Sequence, residues 1–248
     1  MDNSLRINPN KTDVMIVRCR QRRLDVEFCV NFEGTVIHPS SSVKVLGMAV
    51  DCNLTLAKHV SLVVRRCYAI ISGLAKMSHR LPSDVKKFLI EALVFPHILY
   101  CITVYGACGI TQRQRLQKVI NHCARIVFCS KKIDHVSPLL NQLNWPTFDD
   151  LITERDVAML FRAMYHPRAP DALRNRVVYR SDVTARDTRG ALAGLLQPPR
   201  VRRELARRFF TYRATSVWNR SPSDVRDAAT ARECREAVHT WLRGPGER

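Results

Sequence analysis

Val43-Lys44-Val45-Leu46-Gly47-Met48-Ala49-Val50-Asp51 is the stretch that decides how this chain is built. It is a short apolar strand punctuated by residues that force a turn, and from the residues alone Gly47 reads as a glycine bulge in an ordinary strand. Upstream the apolar residues recur every second position. Leu24, Val26, Phe28 and Val30 alternate with Asp25, Glu27, Cys29 and Asn31, and Glu33-Gly34 turns the chain into Thr35-Val36-Ile37. With residues 14–17 these pieces predict a small antiparallel sheet that needs a cover on one face.

Downstream of Asp51 the period becomes helical. Val60, Val63, Val64, Cys67, Ile70, Ile71 and Leu74 share one face, with Lys58, Arg65, Arg66 and Lys76 opposite. Pro82 suits a helix start, and Val85, Phe88, Leu89, Ala92 and Leu93 continue the inward pattern until Pro96 ends or kinks it. A helix over 111–129 would turn Leu116, Val119, Ile120, Cys123 and Val127 inward. Further helices are expected over 147–165 and 229–242, the last with Cys234, Val238, Trp241 and Leu242 on one face. The fold class is therefore α+β, mostly α, with a small antiparallel sheet followed by a helical bundle and a basic, loop-rich extension. The divisions fall at 1–53, 54–130 and 131–248.

The 248 residues carry 40 Lys+Arg against 22 Asp+Glu, a formal charge of +18, and the pI is near 10.1. Such a balance favours a polyanionic partner, nucleic acid before an anionic membrane. The longest apolar stretch, 88–104, is broken by Glu91, Pro96 and His97, so it reads as buried core and not as a membrane span. The start, Met1-Asp2-Asn3-Ser4, shows no secretory signal. Nine cysteines without a CxxC pair, mostly inside apolar runs, read as reduced core residues. His122, Cys123, Cys129 and His135 fit no tetrahedral zinc spacing. In Phe148-Asp149-Asp150-Leu151 the acids follow Thr147 and open a helical pattern, which makes them helix-terminal acids and not metal ligands.

Ile7-Asn8-Pro9-Asn10-Lys11-Thr12 resembles motif D, and residues 43–51, with the pattern Lys-x-Leu-Gly-x-x-x-Asp, resemble the primer-grip motif E, of reverse transcriptases encoded by jockey-like or CR1-like non-LTR retrotransposons. Trp218-Asn219-Arg220-Ser221-Pro222 is similar to a Trp-Asn-x-x-Pro signature near the end of such polyproteins. The resemblance implies a palm edge over 1–53, a thumb over 54–130 and a basic C-terminal extension. It also implies that the aspartate pair holding magnesium lies before motif D, in an N-terminal polymerase half that this chain lacks. On that expectation the chain is a fragment that grips RNA and DNA as template-primer and catalyses nothing alone. It would be intracellular, in nucleus and cytoplasm, with no membrane partner and no cofactor of its own.

Within this frame Lys11 is a candidate for the pyrophosphate side of a full-length enzyme, Lys44 meets a phosphate, and Gly47 allows close approach of the primer. Arg65 and Arg66 add charge on the first helix. Between 162 and 226 there are fifteen arginines, no lysine and five acids; there Arg202, Arg203, Arg207 and Arg208 flank Phe209, Phe210 and Tyr212. Guanidinium groups beside aromatic faces suit single-stranded RNA. The alternative is a non-catalytic helical scaffold whose charge gives only nonspecific nucleic-acid association.

Overall fold

The hairpin over residues 42–51 leads into a long helix that packs on the first apolar core. The computed structural model describes residue 8 and residues 11–18, 28–32, 34–183 and 194–244. Leu24, Val26, Glu33 and, of the Ile7-to-Thr12 motif, Ile7, Pro9 and Asn10 lie outside these residues.

The predicted antiparallel sheet takes the form of two separate hairpins. β1 (Val30–Phe32) pairs with β2 (Thr35–Ile37), and β3 (Ser42–Val45) pairs with β4 (Met48–Asp51) in the register Val45↔Met48. Gly47 is not a bulge. Leu46 at φ 46 and Gly47 at φ 84 form the two-residue loop between β3 and β4, and positive φ at both central positions is the hairpin geometry that matches strand twist. Residues 14–18 run alongside: Val14 bridges Pro39, and the Arg18 amide donates to the Cys52 carbonyl at 2.9 Å.

Asp51 governs the passage from β4 into α1 (Ala57–Met77). Leu54 (φ 53) and Leu56 (φ 59) are both left-handed, a conformation that costs a branched side chain roughly 1–2 kcal/mol. The Asp51 carboxylate offsets that strain. It accepts from the amides of Asn53, Thr55 and Leu56 at 3.2, 3.0 and 2.7 Å and from the Thr55 hydroxyl at 3.0 Å.

α1 buries His59, Val60, Val63, Cys67 and Ile71, the face its periodicity predicts, against α5 (Ile110–Phe128). Between them run α2 (Ser83–Leu93), α3 (Phe95–Leu99) and α4 (Ile102–Tyr105). Here the expected inward face is wrong. α2 buries Lys86 and Ile90, while Val85, Phe88 and Leu93 are exposed, Phe88 at 67%. Lys86 is held inward by donating its Nζ to Cys129 Sγ at 3.3 Å. The helical run is interrupted at Val94, with Pro96 in the first turn of α3, and again at Cys101, whose φ of 55 separates α3 from α4.

α6 (Ser137–Leu143) leads to α7 (Phe148–Tyr165). Thr147 and Asp150 form a reciprocal capping box at the start of α7, so the Asp149-Asp150 pair serves a helix terminus as expected. The first apolar core runs from Met48 to Ile152 and the second from Val157 to Val238; α7 contributes to both. Short helices α8 (Asp171–Arg174), α9 (Arg180–Val183) and α10 (Glu204–Arg207) precede α11 (Phe210–Arg220), α12 (Ser223–Arg226) and α13 (Ala231–Arg243). Among the described cysteines Cys67, Cys108, Cys123 and Cys234 are buried, and Cys29 and Cys129 are exposed. Cys123 belongs to the first core, and its burial pushes the thiol up to about 12. No helix among the described residues is long and apolar enough to cross a membrane.

Candidate nucleic-acid interface

The hairpin loop, the basic side of α1 and the α3 segment enclose an open cleft of about 710 Å³. Lys44, Gly47, Arg65 and Arg66, singled out from different parts of the sequence, all line it. Each is placed by a local cause. The β3–β4 register carries Lys44 to the loop side of the hairpin, and the helical period of α1 turns Arg65 and Arg66 away from its buried face. Among the described residues no carboxylate lies within ion-pair distance of Lys44, Arg65 or Arg66. Three uncompensated cations around one cleft form an anion-attracting surface.

Tyr100 was not legible as a site residue. Its hydroxyl donates to the Leu46 carbonyl at 2.5 Å, which pins the hairpin loop to the helices. A Cβ on Gly47 would lie 3.5 Å from the Tyr100 hydroxyl oxygen, ordinary contact, so the glycine is needed for its φ and not for space. His59 and His97 also line the cleft. The signal for His59 was present: it precedes Val63 by four residues and Cys67 by eight, which places it on the inward face.

The remaining sequence candidates lie elsewhere. Lys11 is exposed; its amide and the Thr12 hydroxyl both donate to the Asn8 carbonyl at 3.0 Å, and Lys11 is not among the residues that line the cleft. Arg202 and Arg203 are exposed just before α10, and Arg207 faces Glu204 at 3.8 Å. Arg208 turns into a second cavity of about 500 Å³ with Arg113, Cys108 and Phe148. The tail arginines therefore do not join Lys44, Arg65 and Arg66. The aromatic partners expected for them are divided: Phe210 packs against the second core, Phe209 is 36% exposed and Tyr212 is half-buried.

Two residues unassigned from sequence hold this half together. Arg213 pairs with Asp156, which is fully buried. Asn219, inside the Trp218-to-Pro222 signature, accepts from the Leu196 amide and donates to the Leu196 carbonyl, each at 2.8 Å. With Trp218 buried beside it, the signature fastens the returning chain to α11.

The chain is thus a hairpin and helical bundle that presents a cationic cleft. No family model and no solved structure matches the chain. Over 154 residues it is 26% identical to the "Probable RNA-directed DNA polymerase from transposon BS" of Drosophila melanogaster, a match covering 60% of this chain and 17% of that protein. The chain thus spans a small part of the length of this relative. The distant likeness supports a relation to the reverse transcriptases of transposons.

Proposed function

We propose that this protein grips the template-primer duplex of a retrotransposon RNA-directed DNA polymerase, with Lys44, Arg65 and Arg66 on phosphates and the Leu46-Gly47 loop against the primer strand. The observation that carries this reading is the convergence of these cations, none paired with a described carboxylate, on one cleft beside a glycine loop. The likeness to a transposon polymerase supports the substrate class, and the charge of +18 supports a polyanion.

In this reading residues 1–53 are a palm edge, 54–130 a thumb and 131–248 a basic extension. The exposed Arg202 and Arg203, with Arg207 and Arg208, follow the nucleic acid away from the cleft. Strand extension needs two carboxylate-held metal ions. Among the described residues no group of three His, Cys, Asp or Glu side chains could hold one. In this reading the resemblance of residues 7–12 to motif D assigns the magnesium chemistry to a separate N-terminal half of a longer enzyme, where Lys11 would find a pyrophosphate to act on.

The test is fluorescence anisotropy of the whole chain with an RNA–DNA primer-template, single-stranded RNA and duplex DNA, each titrated across salt. Preference for the primer-template at moderate salt, weakened by Lys44→Ala, Arg65→Ala and Arg66→Ala, is the expected result. Equal binding to all three, lost steeply with salt, would reduce the protein to a nonspecific counterion-releasing scaffold and overturn the grip.

A further inference from the structure

The floor of the cleft is unlike its rim. His59 is 4% exposed and lines the cavity, yet neither Nδ1 nor Nε2 meets a hydrogen-bond partner among the described residues. The tyrosine hydroxyls of the site are committed elsewhere. Tyr105, whose ring meets His59 edge-on at 5.0 Å, donates to the Ile98 carbonyl, and Tyr100 donates to the Leu46 carbonyl. A buried polar group without a partner is costly and marks a position a ligand can satisfy.

The chemistry of that ligand follows from the state of the ring. Burial holds the His59 imidazole below its ordinary value, so at neutral pH it presents one N–H donor and one lone-pair acceptor. A phosphate offers acceptors alone. The edge of a nucleobase offers carbonyl and amino groups, and either imidazole nitrogen can find its complement there. The volume, about 710 Å³, lies within the range of small-molecule sites, ~300–1,000 Å³. His97 and Tyr100 bring two more aromatic rings to the wall.

We infer that the cleft is a single-nucleotide pocket, in which one unstacked base of a bound strand inserts to meet His59 while its flanking phosphates rest on Lys44, Arg65 and Arg66. The inference rests on the nucleic-acid reading of the same cleft and goes beyond it, since a grip on the backbone needs no base.

Anisotropy with the whole chain decides it, using a uridine RNA octamer and an abasic ribose-phosphate octamer of equal charge. The base-bearing octamer should bind about tenfold more tightly. His59→Phe, which keeps a ring against Tyr105, should erase that margin. In the unaltered chain the imidazole ¹⁵N resonances of His59 should move with the uridine octamer and not with the abasic one, a readout independent of any variant's folding. Equal affinities, or a His59 resonance indifferent to the base, overturn the pocket. If Lys44→Ala, Arg65→Ala and Arg66→Ala weaken both octamers while no base margin exists, the grip stands and the pocket falls. If the margin exists and those variants change nothing, the pocket stands and the cationic grip falls.

Discussion

Arg213 clasps Asp156 with two arms of its guanidinium, Nε to one carboxylate oxygen and Nη2 to the other, the latter at 2.9 Å. Nη2 also donates to the Thr103 carbonyl at 2.8 Å, and Nη1 donates to the Arg208 carbonyl. One side chain on α11 thereby ties α7 to α4. Burial pushes the Asp156 carboxyl up and the Arg213 fork pulls it only part of the way back, so the fork offsets part of the desolvation of the buried carboxylate. Removing one partner of a buried pair costs about 3–5 kcal/mol, because the other charge is left uncompensated. Arg213→Met and Asp156→Leu should each lose stability on that scale in urea unfolding. The double variant should lose much less than the sum of the two.

Asp51 supplies a pH dependence. Burial pushes its carboxyl up, but the hydrogen bonds from Thr55, Leu56 and Asn53 outweigh this and hold it below the ordinary 3.8. A depressed folded value means stability that is present above the unfolded pKa and lost as pH falls through the folded one. Asp51→Asn should lower the melting temperature at pH 7. The gap to the unaltered chain should close as the pH is lowered below about 4. A gap that stays constant down to pH 3 would remove the carboxylate from this account.

Asn219 makes a sharper local prediction, because its two bonds to Leu196 need both an acceptor and a donor. Asn219→Asp keeps the first and sets a carboxylate against the Leu196 carbonyl; Asn219→Ala loses both. Each should destabilise by about 1–3 kcal/mol. The Leu196 amide should lose hydrogen-exchange protection in Asn219→Ala before the amides of α1 do.

α2 offers a contrast between two neighbours. Phe88 is 67% exposed and Ile90 is 1% exposed, so Phe88→Glu should change stability by no more than about 0.5 kcal/mol, while Ile90→Ala should cost about 2–5 kcal/mol. Denaturant unfolding of the two variants checks the orientation of the helix. The reverse ranking would restore the face expected from periodicity.

That helix shows where sequence reading stops. On α1 and α5 the apolar stripe is long and the charges are opposite, so the inward face was legible. Over 85–93 the apolar residues occupy more than one face, and the choice fell to Lys86 and Cys129, a contact across 43 positions that no local period reveals. The same limit hid Tyr100 and Arg213, which act through partners 54 and 57 residues away. Gly47 was legible as a special backbone position, but its role as a hairpin loop and not a bulge depended on pairing Val45 with Met48. The basic cleft was partly legible, since Lys44, Arg65 and Arg66 could be named from strand and helix patterns, whereas the tail arginines were divided by their own helices.

α7 has eighteen residues, a rod of about 27 Å. Its first turns lodge Phe148, Leu151 and Ile152 among the helices behind the cleft, and its later turns lodge Val157, Leu160 and Phe161 among α11, α12 and α13. The Phe148 ring stacks on Tyr105, which in turn abuts His59. Neither half can melt without stripping one flank of the shared rod, so heat should meet the described molecule as a single cooperative unit.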